Sequence, residues 1–300
     1  MNSAQVYDVV CIGNYTKDTI ISPTGTRYVD GGGSRYAAYA ASRLGKKAAV
    51  VTHLAQEDVH IVEELRKAGI DCFPTFVSQS TLMQLEYPTH DPDFRNLTVS
   101  AVAGQITARE VENIEMKSAV IGSSLRGEVQ LDVIHALKNK GITLAADVQG
   151  YIRVLYGQEL KNEPWAEMQE TLSHLDILKS DAREAEFLTG ETDIFKAARI
   201  YESMGPGEIV LTHKAGVLIL ADGKFHDLGF YPQNLSGRSG RGDTCIGTYV
   251  AMRLTKSPLE AGIWAAAVTS LKMEKLGPFD RSIHEVEEFI QARYNHGSIH

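Results

Sequence analysis

The sequence predicts an α/β protein: a mostly parallel sheet with helices on both faces, and a smaller β-sheet added to it. Three observations predict this. Short apolar runs alternate with segments of helical period, one stretch of successive strands interrupts the alternation, and glycine-rich turns stand directly before helices.

The elements follow in order. "YDVVCIG" reads as a strand leading to a loop that carries Asp18, five residues after Gly13. A carboxylate beyond the carboxyl end of such a strand either holds ligand hydroxyls or is simply solvated. In "DGGGSRYAAYAASRLG", Asp30 to Gly45, the glycines suit a hinge or a close approach to ligand, and Ala37, Ala38, Ala40 and Ala41 let the helix pack tightly. Tyr36 either faces ligand or packs with Tyr39, its neighbour at helical spacing. "KAAVVTHLA" is a strand and "VHIVEELRKAG" a helix. From about Cys72 to Gly104 strands succeed one another with no helix between, which suggests a small sheet acting as a lid.

The alternation then resumes with "SAVIGS", "ITLAADV", "LDILKS", "EIVLTH" and "GVLILADG" as strands, and "VQLDVIHALKNKG" and "IFKAARIYESMG" as helices. Asp147 ends one strand and Arg153 follows a glycine turn; an internal salt bridge between them is favoured over a pair facing ligand. After Asp243 the pattern is helical, with Pro258 near one helix start and Gly277-Pro278 as a stop.

Composition narrows the class. A chain of 300 residues with 43% apolar and 23% charged residues can bury a large core. A formal net charge of -8 argues against nucleic acid or an anionic membrane as partner. Cys11, Cys72 and Cys245 are odd in number and far apart, and no histidine pair has HExxH spacing, so neither a disulfide framework nor a zinc site is expected. No leader or membrane span is read, and a cytoplasmic protein is expected; the three Asn-x-Ser/Thr triplets are then chance matches, and "NHGSIH" a frayed end.

The most informative stretch is "GRSGRGDTCIGTYVAMRL", Gly237 to Leu254. Gly240 and Gly242 let backbone N–H groups converge, and the following helix adds its N-terminal donors, which together form an anion site. Asp243 can accept a proton from an attacking hydroxyl, or it merely caps its helix. The run is neither a Walker loop nor a dinucleotide fingerprint.

Together and in this order, the elements resemble the ribokinase-like (PfkB) family of carbohydrate and nucleoside kinases over nearly the whole chain. "GRSGRGDT" stands where that family has Asp-Thr-x-Gly-Ala-Gly-Asp-Thr. The resemblance implies a single three-layer α/β/α domain spanning 1–300, with a mostly parallel central sheet and lid strands from about 14–30 and 72–104. It implies Asp243 as general base, with Gly240, Arg241 and Gly242 as anion hole, and Asp18, Gly32, Gly33 and Tyr36 on the substrate side. "KSDAREAEFLTG" is similar to the family's Asn-x-x-Glu motif, which places Asp181 and Glu184 near the nucleotide, Glu184 ordering Mg²⁺ through water. "EIVLTHKAGVLIL" brings Thr212, Lys214 and Gly216 toward the nucleotide. ATP and Mg²⁺ are the implied cofactors.

The departures from the pattern are Gly237, Arg238, Arg241 and Asp181. An extra guanidinium either clamps a phosphate or lies in solvent. The expected activity is therefore an ATP-dependent kinase of a small sugar or polyol, with the inositol-kinase-like branch suggested by "ADVQGYIR" and "GRGDT". The alternatives are a nucleoside kinase, whose base would stack on Tyr15, Tyr36 or Phe94, and a binding protein that retains only the fold. The exposed lid face is the expected surface for a homodimer.

Overall fold

The computed structural model describes residues 5–89 and 96–294. Its strands are β1 (Val6–Ile12), β2 (Thr16–Ser22), β3 (Gly25–Gly31), β4 (Ala48–Ala55), β5 (Asp71–Val77), β6 (Thr81–Glu86), β7 (Asn96–Ala101), β8 (Glu115–Ile121), β9 (Thr143–Asp147), β10 (Arg153–Tyr156), β11 (Glu159–Asn162), β12 (Ile177–Asp181), β13 (Glu208–Thr212), β14 (Gly216–Ala221) and β15 (Lys224–Gly229). The helices are α1 (Gly33–Arg43), α2 (His60–Lys67), α3 (Ala108–Glu112), α4 (Leu131–Lys138), α5 (Gln149–Ile152), α6 (Met168–His174), α7 (Ala182–Thr189), α8 (Ile194–Ser203), α9 (Arg241–Arg253), α10 (Pro258–Met273) and α11 (Ile283–Arg293).

The larger sheet runs β15-β14-β13-β12-β9-β8-β1-β4-β5. It is parallel from β13 to β5, and β14 and β15 add an antiparallel edge. The two-residue period of β1 divides its side chains between two cores: Val9 and Cys11 meet α1, α2 and α9 to α11, whereas Val10 and Ile12 meet α3, α4 and α6 to α8. Such double coverage explains why every residue of β4 is buried.

The smaller sheet runs β10-β11-β7-β6-β2-β3, and Ile20, Met83, Leu85 and Val99 fill its inner face. Tyr28 and Leu82 are exposed on it, on the side expected to carry a dimer contact. Two boundaries differ from the sequence reading. The segment from Cys72 to Val77, expected in the lid, is β5, which pairs in parallel with β4 at the edge of the larger sheet. The lid in turn gains β10 and β11, a hairpin too short to show a period in sequence. Phe94 lies outside the described residues.

Helix ends explain how the site is placed. Ser257 and Glu260 form a capping box on either side of Pro258 at the start of α10, so that helix begins where its side chains satisfy the free N–H groups. α9 crosses α1 so closely that a Cβ on Gly247 would come 2.5 Å from Ala37 Cα. That approach sets the first turns of both helices against each other. No helix among the described residues is long and apolar enough to cross a membrane.

Candidate active site

A cleft of about 950 Å³ opens between the two sheets. Its floor is made by the carboxyl ends of β9, β12 and β13, through Asp147, Lys179, Asp181 and Thr212, and by the N-terminus of α9. Ligands of open α/β sheets bind at such ends. From the lid, Ile20, Arg27, Val29 and Tyr87 cover it.

The glycine-rich loop is built for close approach. Gly240 is the N-cap of α9 at φ 74°, the left-handed region, and a Cβ there would overlap the Tyr36 ring. A Cβ on Gly33 would come 2.5 Å from Asp243 Oδ1, so α1 presents bare backbone to that carboxylate. Gly240, Arg241, Gly242 and Asp243 all line the cleft, which turns the positive end of the α9 dipole toward it. Burial pushes the Asp243 carboxyl above its ordinary value, while the positive charges of Lys179 and Arg153 pull the other way. A carboxylate shifted toward neutrality is the better proton acceptor near pH 7.

Beneath the loop lies a buried ion network. Lys179 Nζ stands 2.8 Å from Asp147 Oδ2 and 3.8 Å from Glu184 Oε2. A Cβ on Gly242 would come 2.7 Å from that ammonium, so Lys179 carries its charge directly under the anion cradle. Burial opposes the charge, but Asp147, Glu184 and Asp181 outweigh it and hold Lys179 protonated. Burial also raises Glu184 to about 7. Asp181 and Glu184 form a capping box on α7: Asp181 accepts from the Glu184 N–H at 2.9 Å, and Glu184 accepts from the Asp181 N–H at 2.8 Å.

Of the residues singled out in sequence, Asp243, Gly240, Arg241, Gly242, Asp181, Glu184, Thr212 and Lys214 line this cleft. Others stand elsewhere. Tyr36 is buried beneath Gly240, and Gly216 pairs with Gly229 in the β14–β15 hairpin. Asp18 is not in a loop but on β2, on the same face as Ile20 and opposite Val29, where it lines a neighbouring cavity over the small sheet, and Gly31 passes so close to it that a Cβ would overlap its carboxylate. Gly32, at φ 101°, would bring a Cβ within 2.8 Å of Asn14 O, so it shapes the turn into α1. Asp147 does not pair with Arg153; its partner is Lys179, because both side chains are buried side by side on adjacent parallel strands. Sequence reading missed Lys179 and Lys272, yet each left a signal: it is the single Lys or Arg of a strand or helix made mostly of apolar and small residues.

The donor set suits a magnesium ion that keeps its waters. Asp147, Asp181 and Glu184 put carboxylates on the cleft wall, but Lys179 sits among them and prevents a direct cage. Among the described residues, the metal-like cluster whose ligand atoms close to within 4.8 Å is Asp30, His60 and Glu64, which does not line this cleft.

The family model for pfkB family carbohydrate kinases matches residues 4–283. The chain belongs to the pfkB family of carbohydrate kinases. This pfkB protein is thus a phosphotransferase acting on an alcohol group, a sugar or polyol kinase of the ribokinase type. A sulfate complex of a pyrophosphate-dependent kinase in the ribokinase family is 34% identical to it, with TM-score 0.87 over 94% of this chain and 100% of that one. A pyrophosphate-dependent kinase of the same family, complexed with a pyrophosphate analog and myo-inositol, is 32% identical, with TM-score 0.86 over 94% and 100%. A cytidine kinase from Thermococcus kodakarensis is 26% identical over 262 residues, covering 84% of this chain and 91% of its own.

Proposed function

We propose that this pfkB protein transfers a phosphoryl group from pyrophosphate to a hydroxyl of a cyclic polyol, myo-inositol or a close analogue. The observation that carries the reading is the charge of the cleft. On a chain of net charge -8 it gathers Arg27, Arg153, Lys179, Arg183, Lys214, Arg238, Arg241 and Lys272 against four carboxylates, Asp147, Asp181, Glu184 and Asp243. A small, highly charged donor matches that wall. ATP, the donor implied by the family resemblance, is the competing reading. Tyr87 and His213 are the aromatic rings among the lining residues, a thin platform for adenine.

The departures from the family signature then acquire a use. Arg238 and Arg241 replace neutral residues in the loop and add guanidinium groups where an inorganic polyanion has only charge to offer. In the reaction, Asp243 takes the proton of the acceptor hydroxyl as its oxygen bonds to phosphorus. The bond from phosphorus to the bridging oxygen breaks, and inorganic phosphate leaves. The α9 amides and Lys179 stabilise the charge on the transferring group. Magnesium, held through water by Glu184 and its neighbours, would neutralise donor oxygens.

The 26% identity to a cytidine kinase favours a second reading, in which the acceptor is a nucleoside. Two of the three rings named for base stacking weaken it: Tyr15 is buried with its hydroxyl on Asp30, and Tyr36 lies under the loop. The test is phosphomonoester formation from pyrophosphate across inositols, pentoses, hexoses and nucleosides. Turnover on an inositol at least tenfold above any nucleoside is expected; a nucleoside preference would reverse the assignment.

A further inference from the structure

Lys272 stands in the last turn of α10 and is 2% exposed, yet it lines the cleft. Its Nζ donates to Gly237 O at 2.5 Å and lies 5.3 Å from the centre of the Tyr36 ring. Among the described residues no carboxylate comes within 4.0 Å of it, unlike Lys179 with its two. A buried ammonium whose protein partners are a neutral carbonyl and a ring face is incompletely compensated. Burial accordingly pulls Lys272 down to about 8, against the opposing charge of Asp243.

Holding the loop does not account for this lysine. Gly237 is already tied to α10 by its own N–H, which donates to Met273 O at 2.8 Å, and it packs so tightly that a Cβ would overlap Lys275 O. The acceptor of the proposed reaction is a neutral polyol, so an anion entering the cleft is the donor. We propose that Lys272 is a ligand of the phosphoryl donor, its ammonium parked on the Gly237 carbonyl and available to the donor's anionic oxygens. The inference rests on the reading of this cleft as the donor site.

Donor affinity then depends on the charge of Lys272. The titratable groups facing it are Tyr36 from α1, whose hydroxyl is raised to about 12 by burial, and Asp243 from α9, held above the ordinary carboxylate range. Lys272 is the facing group placed to lose a proton as pH rises through about 8.

The experiment is calorimetric titration of the intact protein with sulfate, which does not itself titrate here, and with pyrophosphate, at about pH 7 and about pH 9.5. Wild type is expected to bind sulfate at least tenfold more weakly at the higher pH. Lys272→Met should bind both anions at least tenfold more weakly than wild type at the lower pH and lose the pH step, while Lys272→Arg should keep affinity and lose the step. Circular dichroism and melting confirm that each variant is folded; the methionine is close to isosteric and removes an incompletely paired charge, so it should fold. Wild-type affinity and pH step retained in Lys272→Met overturn the inference alone. Absence of sulfate and pyrophosphate binding by wild type overturns the donor-site reading and this inference together.

Discussion

Replacing Asp243 with asparagine is expected to lower turnover by roughly 10²–10⁴-fold while the fold survives. Asparagine matches the shape of the side chain and its place opposite Gly33, but it cannot take the acceptor's proton. Loss of stability cannot explain such a result, because the sign runs the other way. The folded carboxyl is raised above its unfolded value, so its contribution to stability is present below the unfolded pKa and is lost as pH rises through the folded one. Near neutral pH the variant should therefore melt at or above wild type. The acid limb of the wild-type rate profile, displaced upward from the ordinary carboxylate range, should vanish in the variant. Turnover within threefold of wild type would remove Asp243 from the role of base.

The second large effect is on stability. Lys179→Met strips the countercharge from Asp147 and Glu184, both buried, and the loss of one partner from a buried network costs about 3–5 kcal/mol. The carboxylates left behind are pushed further up by burial, so the folded state of the variant favours their protonated forms. Its deficit should be small at about pH 5 and grow toward about pH 8, as their ionisation becomes unfavourable only in the folded state. Urea melts at the two pH values measure this. Equal stability of variant and wild type at both would mean that the network contributes nothing to the fold. The same substitution removes the charge under Gly242, so weaker anion binding should accompany it.

What could be read in sequence follows from which interactions are local. The alternation of strands and helices was legible because β4, β12, β13 and β14 are buried short runs and α2, α4 and α8 keep a helical period. Pro258 marked a helix start for a local reason as well, since it occupies the first turn behind Ser257. The glycine-rich turn was legible because a left-handed N-cap and a Cβ-free approach leave glycine little competition at Gly240 and Gly33. The edge strand β5 was assigned to the lid because its pairing with β4 depends on a contact across the intervening helix, which no local pattern records.

The same reasoning accounts for the side chains. Asp147 found Lys179 rather than Arg153 because the partner comes from the next strand of the sheet, a relation invisible along the chain. Lys272 reaches Gly237 across 35 residues, a relation that the residues around it in α10 do not record. A lone lysine in a run of mostly apolar and small residues asks for a partner, and both lysines found theirs at the cleft. Tyr36 shows the same thing: its ring supports Gly240 from below, a contact between two helices that no local pattern records.

The most direct test of the account is the choice of donor, followed by phosphorus NMR on wild-type protein with magnesium, the best polyol acceptor, and either pyrophosphate or ATP. Pyrophosphate is expected to give a phosphomonoester and inorganic phosphate, with kcat/KM for that donor at least tenfold above the value for ATP. Efficient transfer from ATP with none from pyrophosphate would contradict it, and would leave the cations of the cleft to be explained by the α- and β-phosphates of a nucleotide.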